Sequence, residues 1–273
     1  GVNLLTPYVL LEQEDWFEDE IKFVRHMLKP GMKVVDIGAS YGVYSLTSAR
    51  CVGTAGKVWA FEPSSATAAC LARGIERNRF DTLHLIQAGL SNKNGQAKLM
   101  ISPNTELGFV AEEGAAEGAH EIVFLKTLDD CMNEWGWKDI DFMKMDAEGH
   151  EEKIIVGGTR FFNSNSPLIL YEIKAGDKIN LGIADAFAAL GYRSYRLIPG
   201  LNTLVPFNKS EQLDGYQLNL FCCKPDRADV LSRQGMLVDD PLPEKPGAPS
   251  STNWRHYLEG FPFAKGLKDA WRE

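Results

Sequence analysis

Residues 33–45 read Lys33-Val34-Val35-Asp36-Ile37-Gly38-Ala39-Ser40-Tyr41-Gly42-Val43-Tyr44-Ser45, and this stretch decides the fold. Its first five residues are apolar apart from a lysine at the start and one acid, the pattern of a strand buried on both faces. Two glycines four apart, D-x-G-x-x-x-G, then turn the chain into a helix from about Gly42 to Arg50. A strand that turns through glycine into a helix is the opening half of a βαβ unit.

The same alternation extends outward. Upstream, residues 15–28 predict an amphipathic helix with Phe17, Ile21, Val24 and Leu28 on one face. Asp15 with Glu18 makes a capping-box-like start, and Lys29-Pro30-Gly31 a stop. Downstream, strands are predicted over 57–62, 83–88, 96–101, 121–126, 140–145 and 167–173. Helices fall over 65–78, 128–135 (capped by Thr127), 150–162 and 183–190. Residues 103–120, rich in Gly, Ala and Glu, predict a mobile loop. The last two strands, 192–198 and 216–223, have no helical pattern between them and are most simply antiparallel neighbours. The expected α/β architecture is a mostly parallel sheet that ends in a reversed strand, with helices on both faces.

Three segments follow from this pattern. Residues 1–30 are expected to form an N-terminal helical segment over the carboxyl edge of the sheet, 31–223 the main α/β domain, and 224–273 a Pro-rich extension. The aromatics Trp254, Tyr257, Phe261, Phe263 and Trp271 would dock that extension on the core or a partner. The net charge is −8, from 29 Lys+Arg and 37 Asp+Glu, and no basic run appears, which argues against nucleic acid. The five cysteines lack a C-x-x-C pair, so a reducing, cytoplasmic location is expected. No apolar run reaches the ~20 residues of a membrane span. The chain starts at Gly1 without an initiator methionine, so a module of a longer chain, or a homodimer, is an open expectation.

In an open α/β sheet, ligands sit beyond the carboxyl ends of the strands. The turn at 36–42 lacks G-x-G-x-x-G and any phosphate loop, so it suits a ligand without phosphates. Glu62 ends the second strand, where a carboxylate can accept from two ribose hydroxyls. A nucleoside with an uncharged or cationic extension fits both features, and S-adenosylmethionine is such a molecule. A tight turn beside a solvated glutamate is the plainer alternative. The second informative segment is Asp141-Phe142-Met143-Lys144-Met145-Asp146-Ala147-Glu148-Gly149-His150-Glu151. It gathers acids and an imidazole where a strand meets a helix, and Glu172 ends the next strand at the same rim. Such a cluster could orient an acceptor and take its proton, or could simply cap helices.

On these residues the sequence resembles the FkbM family of S-adenosylmethionine-dependent methyltransferases. The resemblance runs over about residues 30–175, through 35–45, Ala60-Phe61-Glu62-Pro63, Thr127-Leu128-Asp129, 141–151 and 167–173. Its most specific block is Lys-x-Asp-x-Glu-Gly-His at 144–150; it departs at Ser40, where the family commonly has asparagine. The resemblance implies a Rossmann-like, doubly wound, seven-stranded sheet with its last strand antiparallel. It also implies methyl transfer to a hydroxyl on a sugar, glycan or small natural product, with S-adenosyl-L-homocysteine as product. The candidate cofactor-binding residues are Asp36, Gly38, Ala39, Gly42, Tyr44, Ser45, Glu62, Pro63, Gln87 and Asp146. The candidate catalytic residues are Asp146, His150, Glu148 and Glu172, with His150 or Asp146 as base. A divalent ion on Asp146, Glu148 and Glu172 is a secondary reading. RNA or protein methylation, or a non-catalytic binding module, are the competing classes.

Overall fold

The computed structural model describes residues 5–101, 109–110, 119–175, 178–209 and 218–239. Two helices, α1 (Leu5–Gln13) and α2 (Asp19–Met27), lead into β1 (Lys33–Ile37), α3 (Val43–Val52), β2 (Lys57–Phe61), α4 (Ser65–Asn78) and β3 (Leu83–Ile86). The chain then leaves the main sheet through β4 (Gly89–Leu90), β5 (Gly95–Met100), β6 (Phe109–Val110) and β7 (His120–Lys126). It returns by α5 (Leu128–Trp135) to β8 (Phe142–Met145), α6 (Glu151–Gly157), α7 (Thr159–Ser164) and β9 (Leu168–Glu172). A two-residue hairpin, β10 (Lys174–Ala175) and β11 (Lys178–Ile179), precedes α8 (Gly182–Ala189). The described chain ends with β12 (Arg193–Ile198), β13 (Thr203–Pro206), β14 (Asn219–Cys223) and α9 (Pro225–Arg233).

The main sheet has the order β13-β12-β14-β9-β8-β1-β2-β3. From β9 to β3 every pairing is parallel, whereas β14 runs antiparallel to both β9 and β12. The sheet is therefore mostly parallel with a reversed strand, as the pattern required. It has eight strands rather than seven. The added one, β13, is four residues long, ends in Pro206 and pairs only with β12 within the sheet. Proline is tolerated there because an edge strand has a side without a ladder.

Period-two alternation divides the core. Val34 faces one cluster with Ile21, Val24, Ala49, Leu71 and Leu231, while Val35 and Ile37 face another with Leu128, Ile154, Phe161 and Phe187. Both faces of the sheet are thus covered by helices, the arrangement a parallel sheet needs. Each fully buried Ile or Phe contributes about 1.5–3 kcal/mol relative to exposure.

Three local expectations are corrected. Asp15 does not cap α2; its two oxygens accept from the Arg25 guanidinium at 2.9 and 2.6 Å and one also accepts from Trp16 N–H, so the helix begins later, after Glu18. Phe17 consequently lies outside the helix and is exposed. The helix predicted over 150–162 is two helices meeting at Gly158, where an added Cβ would sit 2.8 Å from a Leu128 methyl. Thr127 does cap α5, its hydroxyl accepting from Asp130 N–H at 3.1 Å. The change of character read at Lys224 falls within the folded unit: Ala228, Leu231, Met236 and Leu237 are buried, and Leu237 bridges to Leu204. Contacts divide the chain into Gly1–Asp239 and Asp240–Glu273. The aromatic tail and most of the 103–120 loop lie outside the described residues.

Candidate active site

The site is built on the carboxyl ends of β1, β2 and β8. Gly38 has φ +74, and a Cβ there would lie 1.7 Å from the Asp146 carbonyl oxygen, so only glycine lets the turn after β1 pass against the end of β8. Asp146 N–H donates to Ile37 O at 3.1 Å and fastens that contact. Gly42, at φ +89, starts α3 against Leu71, whose methyl would be 2.3 Å from an added Cβ. A cavity of about 240 Å³ opens above this turn.

One end of the cavity is organised by Glu62. Its Oε2 accepts from Ser40 N–H at 2.7 Å, and its Oε1 accepts from Ser64 N–H and the Thr67 hydroxyl, both at 2.9 Å. Burial raises the proton affinity of Glu62, and these three donors oppose that rise. The carboxylate is held rigidly, and Ala88, Gly89 and Leu90 beyond β3 complete this wall.

The other end is acidic with one cation. Asp146 follows β8 directly, and Lys144 Nζ from within the strand donates to its Oδ2 at 2.8 Å. Burial pulls the Lys144 pKa down, but the charges of Asp146 and Asp36 more than offset it, so the ammonium is retained. Asp36 is buried; its Oδ2 accepts from the Ser45 hydroxyl at 2.5 Å, and its Oδ1 has no hydrogen-bond partner among the described residues. Glu148 lies in the left-handed region at φ +51, and its carboxyl is pushed up to about 7, first by burial and then by the charges of Asp146 and Glu151. It makes no hydrogen bond to another described residue. Glu172 is pushed well up, first by burial and then by the charges of Asp146 and Glu148. Glu151 fixes the turn, accepting from Ala147 N–H at 2.8 Å and Gly149 N–H at 3.3 Å. His150 stands at the N-cap of α6, its Nε2 2.9 Å from the Ser91 hydroxyl.

Of the predicted cofactor residues, Asp36, Gly38, Ala39, Tyr44, Glu62, Pro63 and Asp146 line the cavity, and so do Glu148 and His150. Gly42 and Ser45 act from behind, through the helix start and the bond to Asp36. Glu172 sits behind Asp146 and does not line the cavity. Gln87 is exposed and outside the lining, because the chain turns away from β3 at Gln87 and presents Ala88 and Gly89 instead. Among the described residues no group of His, Cys, Asp and Glu could hold a metal ion. The acids at 146, 148 and 172 have the Lys144 ammonium among them, where a divalent cation would otherwise be the counter-charge.

The cavity also has walls that the sequence motifs did not name. Thr6, Trp16 and Glu18 reach it from the N-terminal segment, and Glu18 Oε2 accepts from the Tyr44 hydroxyl at 2.7 Å. Leu99 of β5 and Val110 of β6 come from the second sheet, of order β4-β7-β5-β6. Nothing in the spacing of residues 95–110 pointed there; for Trp16, the nearness of an N-terminal segment to the sheet's carboxyl edge was the available signal. All five cysteines are free thiols, and among the described residues no helix is long and apolar enough to cross a membrane.

The chain was compared with known proteins. The methyltransferase FkbM from Methylobacillus flagellatus KT is similar at 16% identity and a TM-score of 0.47, over 75% of this chain and 50% of that one. A SAM-dependent O-methyltransferase from Thermotoga maritima is similar at 13% identity and a TM-score of 0.42, over 80% and 70%. A TehB-like SAM-dependent methyltransferase from Corynebacterium glutamicum is similar at 9% identity and a TM-score of 0.44, over 80% and 92%. No curated protein sequence matches the chain significantly. The methyltransferase FkbM domain matches residues 36–194, more than half of the sequence and the whole span from the glycine turn to β12. The chain belongs to the FkbM methyltransferase domain family.

Proposed function

We propose that the chain uses S-adenosyl-L-methionine to methylate a hydroxyl oxygen of a sugar, glycan or small natural product. The observation that carries this is the Glu62 carboxylate, locked by Ser40, Ser64 and Thr67 at the end of β2 and facing a cavity whose floor is the Gly38 turn. A carboxylate offers about four acceptor positions; three are used, which leaves room for a ribose hydroxyl. The residues fit the cofactor in charge as well. Glu18, Asp36, Glu62, Asp146 and Glu148 face the cavity against the single ammonium of Lys144, an environment that favours a cationic ligand and disfavours a pyrophosphate.

The cofactor supplies an activated methyl group on a sulfonium. The protein then has to align an acceptor oxygen and take its proton. Glu148 is the group best placed to hold that proton. It lines the cavity, lacks competing hydrogen bonds among the described residues, and has a carboxyl raised to about 7, close to neutral pH where a base works efficiently. Asp146 is held by Lys144, and His150 by Ser91 through its Nε2, and both line the same cavity as that base. The acidic walls support a neutral acceptor over a polyanionic one such as RNA.

Mass spectrometry of hydroxylated small molecules and glycans, incubated with protein and cofactor, tests this reading. An added methylene on a hydroxyl acceptor is the expected result. Methylation of RNA or protein alone would replace the acceptor proposed, and no S-adenosyl-L-homocysteine binding at millimolar ligand would favour a binding module.

A further inference from the structure

Glu18 occupies the N-cap position of α2, with extended backbone (φ −70, ψ 130), yet its side chain makes no capping bond. An acid at a helix N-terminus ordinarily satisfies an orphan N–H and gains from the helix dipole. Here the carboxylate turns instead into the cavity, where the buried Tyr44 on the first turn of α3 donates to Oε2 at 2.7 Å. Its Oε1 has no hydrogen-bond partner among the described residues. The next residue on α3, Ser45, donates to Asp36 Oδ2 and leaves Asp36 Oδ1 buried and without a partner. Both carboxylates lie near enough to Lys144 to strengthen its hold on its proton. This corner of the cavity therefore presents Glu18 Oε1 as an acceptor in want of a donor.

The chemistry narrows what can satisfy it. A sulfonium carries charge but no hydrogen to donate, and the acceptor assigned to the ribose is Glu62 at the end of β2. A primary ammonium carries both charge and three donors. We infer that Glu18, fixed by Tyr44, binds the α-ammonium of the cofactor's amino-acid end, so the N-terminal segment supplies part of the cofactor site. This rests on the cofactor reading above. It makes Glu18 a specificity residue for the amino-acid end, separate from the nucleoside end read by Glu62.

Calorimetric titration of the full chain tests it with three ligands: S-adenosyl-L-homocysteine, its deaminated analogue, and 5′-methylthioadenosine, which lacks the amino-acid end. Glu18→Gln is expected to weaken S-adenosyl-L-homocysteine about tenfold or more, the size of a lost charge-assisted hydrogen bond. It should leave 5′-methylthioadenosine within about twofold of wild type. The deaminated analogue should bind wild type and Glu18→Gln alike. Tyr44→Phe, which releases Oε2, should weaken S-adenosyl-L-homocysteine in the same selective way. Unchanged S-adenosyl-L-homocysteine affinity in Glu18→Gln, or equal weakening of all three ligands, overturns the inference while leaving the cofactor reading intact. Wild-type protein that binds none of the three removes the cofactor reading and this inference together.

Discussion

Ser91 and His150 are 59 residues apart in sequence, yet the serine hydroxyl lies 2.9 Å from the histidine Nε2, with both side chains buried. Ser91 follows β4 and His150 stands at the N-cap position of α6, so this bond ties the base of the second sheet to the rim of the cavity. Ser91→Ala removes one partner and leaves a buried nitrogen without it, which is expected to cost about 1–3 kcal/mol in urea unfolding. His150→Ala is expected to cut turnover while sparing cofactor affinity; unchanged turnover removes the imidazole from the mechanism.

Gly38→Ala places a methyl 1.7 Å from the Asp146 carbonyl oxygen at a residue with φ +74. The end of β8 must then move. The expected loss is about 2 kcal/mol or more of stability, with S-adenosyl-L-homocysteine binding abolished in calorimetry. A variant that binds normally would show that the contact between turn and strand is not needed.

Glu148 sets a pH dependence whose sign is fixed. Its folded carboxyl titrates at about 7 against an ordinary value of 4.5, so between these values the folded chain keeps a proton that the unfolded chain has released. That stabilisation is fully present below 4.5 and lost as pH rises through about 7. Solvent reaches part of the side chain, so the expected loss is about 1 kcal/mol. Glu148→Gln should lessen this slope in thermal unfolding, the remainder belonging to Glu20, which burial also pushes up to about 7, and turnover of the wild type should rise through the same window as the base ionises.

Glu62→Gln replaces one acceptor oxygen with an amide that faces N–H donors on either side. The expected result is about a tenfold loss of adenosine-ligand affinity. Discrimination between adenosine and 2′,3′-dideoxyadenosine should disappear in the variant, as measured by competition binding.

The elements carrying the site were legible where chemistry and spacing coincide. Val34-Val35 and the glycines at 38 and 42 announce strand, turn and helix because close approach of backbones leaves no other residue type. Thr127 announces α5 because its hydroxyl has a fixed local task. What stayed hidden depends on contacts between distant segments. Asp15 has the form of a helix cap, but Arg25, ten residues on, claims both of its oxygens. Gly158 breaks a continuous helical pattern because α5 packs directly against it. Glu18 reads as a solvated or capping acid until Tyr44 is seen beneath it, and Leu99 and Val110 carry no local mark of the cavity they line.

The second sheet leaves the main fold at β4, whose ladder to β7 consists of Gly89↔Leu125 and Leu90↔Lys126, and returns where β7 runs through Thr127 into α5. Those same two β4 residues wall the cavity beside Glu62, while Leu99 and Val110 reach it from the far strands. The second sheet and the wall beside Glu62 thus share the same two residues. With the cofactor bound as proposed, an acceptor pressing on Leu99 or Val110 would bear on the sheet that also walls the cofactor, and the two ligands would be expected to enter and leave in a preferred order.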